Sequence, residues 1–208
     1  YFSSLPEGFA PAEELRAALT ADVQKVQFVG VAGTAGKTAA AGLLAAILRE
    51  AAFHVGFYRA GCEPLSARIA IGGVSVDPVL LCQAAEALNA AKPLPREAAE
   101  LAAAARCFGA AGCKLAVVEL PDAGLASALP NMPVCAVTAI GPDGVSRSVE
   151  RLAALAAGVM RKDAVCVTAP EQPKAVLSEL VVAAAKAECE LVVPDAEDIT
   201  FLEAEKFT

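Results

Sequence analysis

Residues 26–50, VQFVGVAGTAGKTAAAGLLAAILRE, decide the fold of this chain. The apolar residues at the start predict a β-strand over 25–31, and the alanine-rich run that follows predicts an α-helix over 37–52. Between them lies the segment Gly33-Thr34-Ala35-Gly36-Lys37-Thr38. A short glycine loop ending in Lys-Thr, between a strand and a helix, is typical of a phosphate-binding loop. Residues 33–38 are called the phosphate loop below.

The phosphate loop has the groups that the phosphates of a nucleotide require. Its glycines allow backbone N–H groups to turn toward phosphate oxygens, and the N-terminus of the next helix adds unsatisfied donors. Lys37 is placed to reach the outer phosphates, and the Thr38 hydroxyl to bind Mg²⁺. The longer pattern G-x-x-x-x-G-K-[ST] has glycine where this chain has Val31, so a glycine-rich turn with an unrelated lysine is the alternative. We predict a nucleotide site formed by Gly33, Thr34, Ala35, Gly36, Lys37 and Thr38.

Strand-like and helix-like segments alternate along the rest of the chain. Strands are predicted at 54–58, 114–119, 134–139, 164–168 and 190–193, and two short strands joined at Gly72-Gly73 within 68–76. Helices are predicted at 78–90, 96–111, 147–157 and 173–188. Near-continuous apolar strands, each followed by a helix, indicate an α/β fold of the P-loop NTPase type, with a mostly parallel sheet and helices on both faces. We expect a single domain over residues 1–208.

Composition narrows the classes of partner and the compartment. The chain has 17 basic and 24 acidic residues and a net charge of −7, which argues against nucleic acid as a partner. No apolar run reaches the ~18 residues needed to cross a bilayer, so no membrane partner is expected. The seven cysteines are odd in number and include no C-x-x-C pair, which favours buried free thiols in the cytoplasm over disulfides or zinc. The only histidine, His54, is interpreted as structural.

Segments along nearly the whole chain resemble one known family. The phosphate loop within VAGTAGKT at 31–38 resembles the loop of the Mur ligase superfamily. The opening YFSSLPEGF at 1–9, the stretch ARIAIGGVSVD at 67–77 and the strand LAVVEL at 115–120 are similar to segments of its folylpolyglutamate synthase branch. The resemblance implies the ATP-binding central domain of that superfamily. The implied activity is ATP-dependent amide formation, in which a folate-type acid is phosphorylated to an acyl phosphate and then joined to glutamate.

The same resemblance implies ATP and Mg²⁺ as cofactors and gives roles to particular residues. Lys37 and Asp143 take catalytic roles, and Thr38 and Glu119 bind Mg²⁺. Arg68 takes a role in binding the acid substrate. From the residues alone, Glu119 is alternatively a solvated acid at a strand end and Asp143 a turn residue in GPDG. Arg68 alternatively forms a surface salt bridge.

Other positions depart from the family pattern. Gly144 stands in place of a metal-binding histidine, and Ala156 in place of a lysine that is carbamylated in many members. Pro121 stiffens a loop that the family keeps flexible, and Ala60-Gly61-Cys62 replaces Ser-Pro-His. The chain ends at Thr208, so we expect any C-terminal ligase domain to be a separate domain or subunit. The second hypothesis is therefore a catalytically degenerate nucleotide-binding module that acts as a sensor or partner subunit.

Overall fold

Eight strands form one sheet in the computed structural model, which describes residues 2–8, 12–90, 93–142 and 148–195. The strands are β1 Gln27–Ala32, β2 Val55–Tyr58, β3 Ile69–Ile71, β4 Val74–Ser75, β5 Leu115–Glu119, β6 Val134–Val137, β7 Val165–Thr168 and β8 Glu190–Val192. Their order across the sheet is β4-β3-β2-β5-β1-β6-β7-β8. All neighbours pair in parallel except β3, which runs antiparallel to both β2 and β4.

Helices cover both faces of this sheet. The α-helices are α1 Ala12–Ala17, α2 Lys37–Glu50, α3 Leu65–Arg68, α4 Pro78–Asn89, α5 Arg96–Ala110, α6 Val149–Ala156 and α7 Lys174–Ala187. On one face, α2 packs in a small cluster that includes Val31, Ala41 and Val117. The larger core cluster includes residues of α1, α4, α5, α6 and α7 and lies apart from it. The predicted α/β class with a mostly parallel sheet is confirmed.

Helix α5 shows how an alanine-rich sequence builds this core. Ten of its residues are buried, and most of them are alanines. Alanine loses no side-chain entropy in a helix and lets the helix approach its neighbours closely. Larger side chains then fill the remaining space, and Leu101 and Phe108 are fully buried. Many of the apolar residues of the chain therefore serve close helix packing, and few of them are aromatic.

The predicted elements agree with the observed ones to within a few residues at each end. Helix α4 begins where the sequence indicates, because the Asp77 carboxylate accepts a hydrogen bond from the Val79 N–H at 2.7 Å and Pro78 occupies the first helical position. The hairpin around Gly72-Gly73 is confirmed as β3 and β4. Sequence periodicity does not predict α1, α3 or the 3-10 turns, because they are too short to show a helical pattern.

Three further features bear on the predictions made from composition. In the described part of the chain, no helix combines the length and apolarity that a bilayer crossing requires. All seven cysteines are free, with Cys62 and Cys82 exposed and the other five buried. The exposed His54 ring lies 3.2 Å from the Ala111 carbonyl oxygen, which is a structural contact.

Candidate functional site

The phosphate loop joins the central strand β1 to helix α2 through two glycines in backbone conformations that other residues rarely adopt. Gly33 has φ +131° and Gly36 has φ +80°. A Cβ atom at Gly33 would lie 2.2 Å from the Thr138 hydroxyl oxygen on the neighbouring chain segment after β6. Glycine is therefore required at 33 for both its φ angle and its close approach, and at 36 for its φ angle.

The backbone N–H groups of the loop divide into two sets. Those of Thr34 and Ala35 both donate to the carbonyl oxygen of Ala139, at 3.2 and 3.1 Å. Those of Gly36, Lys37 and Thr38 have no acceptor in the described part of the chain. The first N–H groups of a helix lack intrahelical acceptors and favour an anion. The free donors thus lie at the α2 end of the loop, while phosphate binding by Thr34 and Ala35 stays a prediction.

The Lys37 side chain folds back over the start of the loop. Its Nζ donates to the carbonyl oxygen of Gly33 at 2.9 Å. This contact holds the ammonium group beside the loop without a carboxylate partner among the described residues. The charge is therefore available to an anion that approaches the loop, as the sequence predicts for the outer phosphates of a nucleotide.

Thr38 and Glu119 meet at the carboxyl edge of the sheet. The Thr38 hydroxyl donates to Oε2 of Glu119 at 2.9 Å, across 81 positions of sequence. Glu119 is the last residue of β5, in register with Val31 of β1, and is 5% exposed. The alternative of a solvated acid is therefore wrong. Magnesium is bound in proteins by one or two carboxylates together with phosphate oxygens and water, and a hydroxyl beside one carboxylate fits that pattern.

The protein alone offers only part of a metal's ligands. Among the described residues, no three His, Cys, Asp or Glu side chains converge as a metal site. Thr38 and Glu119 would have to share an ion with phosphate and water oxygens, which is the usual arrangement for Mg²⁺ at a nucleotide. Asp143 and Gly144 lie outside the described residues. The metal role of Thr38 and Glu119 and the catalytic roles of Lys37 and Asp143 stay predictions.

Gln172 ties the phosphate loop to the strands beside it, and sequence reasoning did not identify it. Its Nε2 donates to the Thr138 carbonyl at 2.9 Å and lies 3.1 Å from the Thr168 hydroxyl, while its Oε1 accepts from the Ile140 N–H at 3.1 Å. The segment held in this way reaches the loop, because the Gly141 N–H donates to Thr34 Oγ1 at 2.8 Å. Its position in the sequence could have indicated this role, because Gln172 follows β7, whose carboxyl end lies at the same edge of the sheet as the loop.

A cavity of about 410 Å³ opens beside the start of the phosphate loop. Its walls are Ala32, Gly33, Thr34, Leu120, Pro121, Asp122, Ala123, Arg151, Leu152, Leu155 and Ala156. We call it the loop cavity. Apart from Arg151, the part of its wall that helix α6 provides is apolar, and there Ala156 is 7% exposed and Leu152 is 6% exposed. The position that the resemblance gives to a carbamylated lysine is therefore a methyl group on an apolar surface.

The chain after β5 is packed rather than open. A 3-10 turn covers Ala123–Ala128, and the Asp122 carboxylate begins it by accepting from the Gly124 N–H at 2.8 Å. Leu125 and Leu129 are buried. Pro121 and Asp122 line the loop cavity and also a second cavity of about 480 Å³ on the other side. This turn therefore stands between two chambers at the carboxyl edge of the sheet.

Arg68 lies under the second cavity. Its Nη2 pairs with Glu100 Oε1 at 2.8 Å, and its Nε donates to the Glu63 carbonyl at 2.9 Å. Its Nη1 contacts the Tyr58 hydroxyl at 3.4 Å and the Arg59 carbonyl at 3.5 Å. The alternative of a surface salt bridge is wrong, because the side chains of Arg68 and Glu100 are 1% and 5% exposed. Most of the Arg68 donors are used inside the protein, and its role toward a substrate stays a prediction.

Burial and nearby groups shift the pKa values of two residues at the second cavity, Arg68 and Glu97. Burial acts to lower the pKa of Arg68, but the hydrogen bond from Arg68 to Glu100, together with the neighbouring Tyr58 and the charge of Glu100, outweighs it and leaves that pKa raised. The pKa of Glu97 is also raised, by partial burial first and then by the charges of Asp122, Glu100 and Glu7. Glu97 therefore takes up a proton more readily than an ordinary glutamate does.

Solved structures of folylpolyglutamate synthase share this architecture. A folylpolyglutamate synthase in complex with AMPPCP and folate superposes with a TM-score of 0.79 at 20% sequence identity, covering 92% of this chain and 52% of that one. The Mycobacterium tuberculosis folylpolyglutamate synthase complexed with ADP gives 0.74 at 21% identity, covering 86% of this chain and 45% of that one. The fold is that of folylpolyglutamate synthases. The Escherichia coli FolC structure with DHPP and ADP agrees, with 0.76 at 20% identity over 92% of this chain and 49% of that one.

The match covers only part of those proteins. This chain spans about half the length of the folylpolyglutamate synthases to which it is similar. No family model matches its sequence, and no curated protein does. The structural likeness establishes the fold and agrees with the resemblance of the phosphate loop, while activity and substrate have to be argued from the site.

Proposed function

We propose that this chain is the ATP-binding domain of an ATP-dependent carboxylate–amine ligase of the folylpolyglutamate synthase type. The observation that carries the proposal is the phosphate loop, in which three N–H groups at the start of α2, from Gly36, Lys37 and Thr38, have no acceptor among the described residues. Lys37 supplies a positive charge at the same place. The solved structures of the same fold with ADP or AMPPCP support a nucleotide as the anion.

The residues of this chain have distinct parts in the proposed reaction. The three free N–H groups bind phosphate oxygens, and Lys37 exchanges its contact with the Gly33 carbonyl for an outer phosphate. Thr38 and Glu119 would hold Mg²⁺, which supplies further neutralisation of phosphate charge when bound. The adjoining loop cavity gives a carboxylate access to the terminal phosphate.

Amide formation would then follow in two steps. A carboxylate oxygen of a folate-type acid attacks the terminal phosphorus of ATP, forming an acyl phosphate as ADP leaves. The amino group of glutamate attacks the acyl carbon, and phosphate leaves as the amine loses a proton. Negative charge builds up at the phosphoryl group in the first step, so the loop donors and Lys37 act where stabilisation lowers the barrier. The folate-type acid is proposed from the resemblance and from the folate and DHPP complexes of the same fold.

A second candidate is a nucleotide-binding module that does not catalyse ligation. The observation that favours it is the apolar α6 wall of the loop cavity, where Ala156 offers a methyl group. A methyl group cannot carry a carbamate or bind a metal ion. Arg68 also favours this candidate, since most of its donors are used within the protein. Both candidates require the nucleotide site.

Calorimetric titration with ATP, ADP and GTP, with and without Mg²⁺, tests the nucleotide site. We expect ATP to bind with Mg²⁺ and Lys37→Met to weaken that binding by about tenfold or more, since hydrogen bonds to charged groups contribute about 1.5–3 kcal/mol. The control is Lys186→Met, which removes the same charge from an exposed position in the last turn of α7. Absence of nucleotide binding by the unmodified chain would refute both candidates.

A phosphate-release assay separates the two candidates. The chain is incubated with ATP and Mg²⁺, with dihydrofolate or tetrahydrofolate, and with glutamate. Phosphate release that depends on the folate and on glutamate supports the ligase. Nucleotide binding without acid-dependent release supports the module.

A further inference from the structure

The loop cavity contains a cation that no motif of the sequence identified. Arg151 lies on helix α6 and shares the cavity wall with Gly33 and Thr34 of the phosphate loop. The other charged residue of that wall is Asp122, whose carboxylate already accepts the Gly124 N–H. Among the described residues that line the loop cavity, Arg151 is therefore the cationic side chain.

Arg151 has a fixed backbone and an available side chain. The Ser148 hydroxyl accepts a hydrogen bond from the Arg151 N–H at 3.3 Å and caps α6 at this point. The guanidinium group has no hydrogen bond or ion pair with the described residues. By contrast, Arg68 at the second cavity is paired with Glu100. A planar guanidinium presents several N–H donors in a geometry that matches phosphate oxygens.

The position of Lys37 indicates which phosphate Arg151 would meet. The ammonium group of Lys37 lies on the Gly33 carbonyl, at the start of the loop, and the lysine of such a loop serves the outer phosphates. The free N–H groups lie at the other end of the loop, from Gly36 to Thr38. An inner phosphate at those N–H groups leaves the outermost one near Gly33, on the side of the loop cavity.

We propose that Arg151 binds the terminal phosphate of the nucleotide across the loop cavity. This inference rests on the proposed nucleotide site and adds a residue to it. It also gives the site a second cation beside Lys37, on the helix whose Ala156 takes no part in metal binding. Arg151 thus makes the site bind ATP more tightly than ADP, since ADP lacks the phosphate that Arg151 contacts.

The ratio of ATP to ADP affinity tests Arg151. Calorimetric titration of the chain with AMPPCP and with ADP, both with Mg²⁺, is compared between the unmodified protein and Arg151→Gln. We expect AMPPCP to bind about tenfold more weakly to the variant, while the ADP affinity changes less than about twofold. Arg151→Lys keeps a positive charge and should recover part of the AMPPCP affinity.

Two controls keep the result specific. Lys186→Gln removes one positive charge at the end of α7, which runs from the carboxyl edge of the sheet to the opposite edge, and should leave both affinities unchanged. Thermal unfolding shows whether Arg151→Gln is folded. Equal weakening of AMPPCP and ADP, or no weakening of either, would overturn the role of Arg151 while leaving the nucleotide site standing. Failure of the unmodified chain to bind either nucleotide would overturn the nucleotide site and the inference with it.

Discussion

Replacing Glu100 by Gln tests the buried ion pair beneath the second cavity. Glu100 Oε1 accepts from Arg68 Nη2 at 2.8 Å and from Arg96 Nε at 3.1 Å. Removing one member of a buried pair leaves an uncompensated charge and lowers the free energy of unfolding by about 3–5 kcal/mol. Arg68 keeps its hydrogen bonds to two carbonyl oxygens and a hydroxyl, so we expect the lower end of that range, about 3 kcal/mol.

Urea unfolding followed by circular dichroism measures this loss. We expect a lower midpoint with an unchanged slope, and a melting temperature lower by roughly 6–12 °C for a chain of this size. The matched control is Lys162→Gln, which breaks an exposed pair with Glu188 in which the two side chains are 63% and 65% exposed. That pair should contribute less than about 1 kcal/mol.

The double variant Arg68→Met with Glu100→Leu separates charge from shape. It removes both charges, so we expect it to recover most of the stability that Glu100→Gln loses. A loss for Glu100→Gln as small as that of the Lys162→Gln control would refute the reasoning, because it would mean that water solvates Arg68 in the folded protein. A double variant as unstable as the single one would mean that shape, not charge, sets the loss.

Three further substitutions test the site and its surroundings. Gly33→Ala places a Cβ atom 2.2 Å from the Thr138 hydroxyl oxygen at a residue with φ +131°, so it should lower the free energy of unfolding by about 1–3 kcal/mol and weaken nucleotide binding in calorimetry. The control is Gly42→Ala, where a Cβ atom meets nothing within 4 Å, and it should raise the free energy of unfolding by about 0.5–1 kcal/mol. Equal effects of the two substitutions would contradict the geometry. Gln172→Leu removes the hydrogen bonds that hold the segment beside the loop and should weaken nucleotide binding and speed amide hydrogen exchange in that segment; unchanged exchange would contradict this role. Glu97 has a folded-state pKa above its unfolded value, so its charged form destabilises the fold at neutral pH, and this penalty disappears as the pH falls below the unfolded pKa. Glu97→Gln should therefore raise the free energy of unfolding by less than about 1 kcal/mol at pH 7 and leave it unchanged below about pH 4. Urea unfolding at both pH values measures the difference.

Much of the fold is predictable because its signals are local. The apolar strand before Gly33, the glycine loop and the alanine-rich helix α2 follow one another within 25 residues of sequence, from 26 to 50, and each is recognised by its own pattern. The cap of α4 at Asp77 is equally local. Short elements such as α1 are not predictable from periodicity, because a helix of six residues has fewer than two turns.

The site is predictable only where one loop supplies it. Lys37 and the glycines of the phosphate loop are adjacent in sequence. For Thr38 and Glu119 only the family resemblance implies a common role in binding Mg²⁺, and the structure shows their contact. Arg68 shows the limit of this reasoning, because its burial against Glu100 depends on α5 packing beside β2. Sequence spacing does not show which charges a distant helix will bury.

The phosphate loop, the alternation of strands and helices and hence the α/β class follow from local sequence, since these depend on interactions between near neighbours in the chain. Which loop N–H groups are already occupied depends on tertiary contacts, because the Ala139 carbonyl that accepts from Thr34 and Ala35 comes from a segment more than 100 residues away. The tertiary structure likewise brings Arg151 to the loop cavity. Contacts of this kind depend on which parallel strands lie side by side in the sheet, and packing across the whole sheet sets that arrangement.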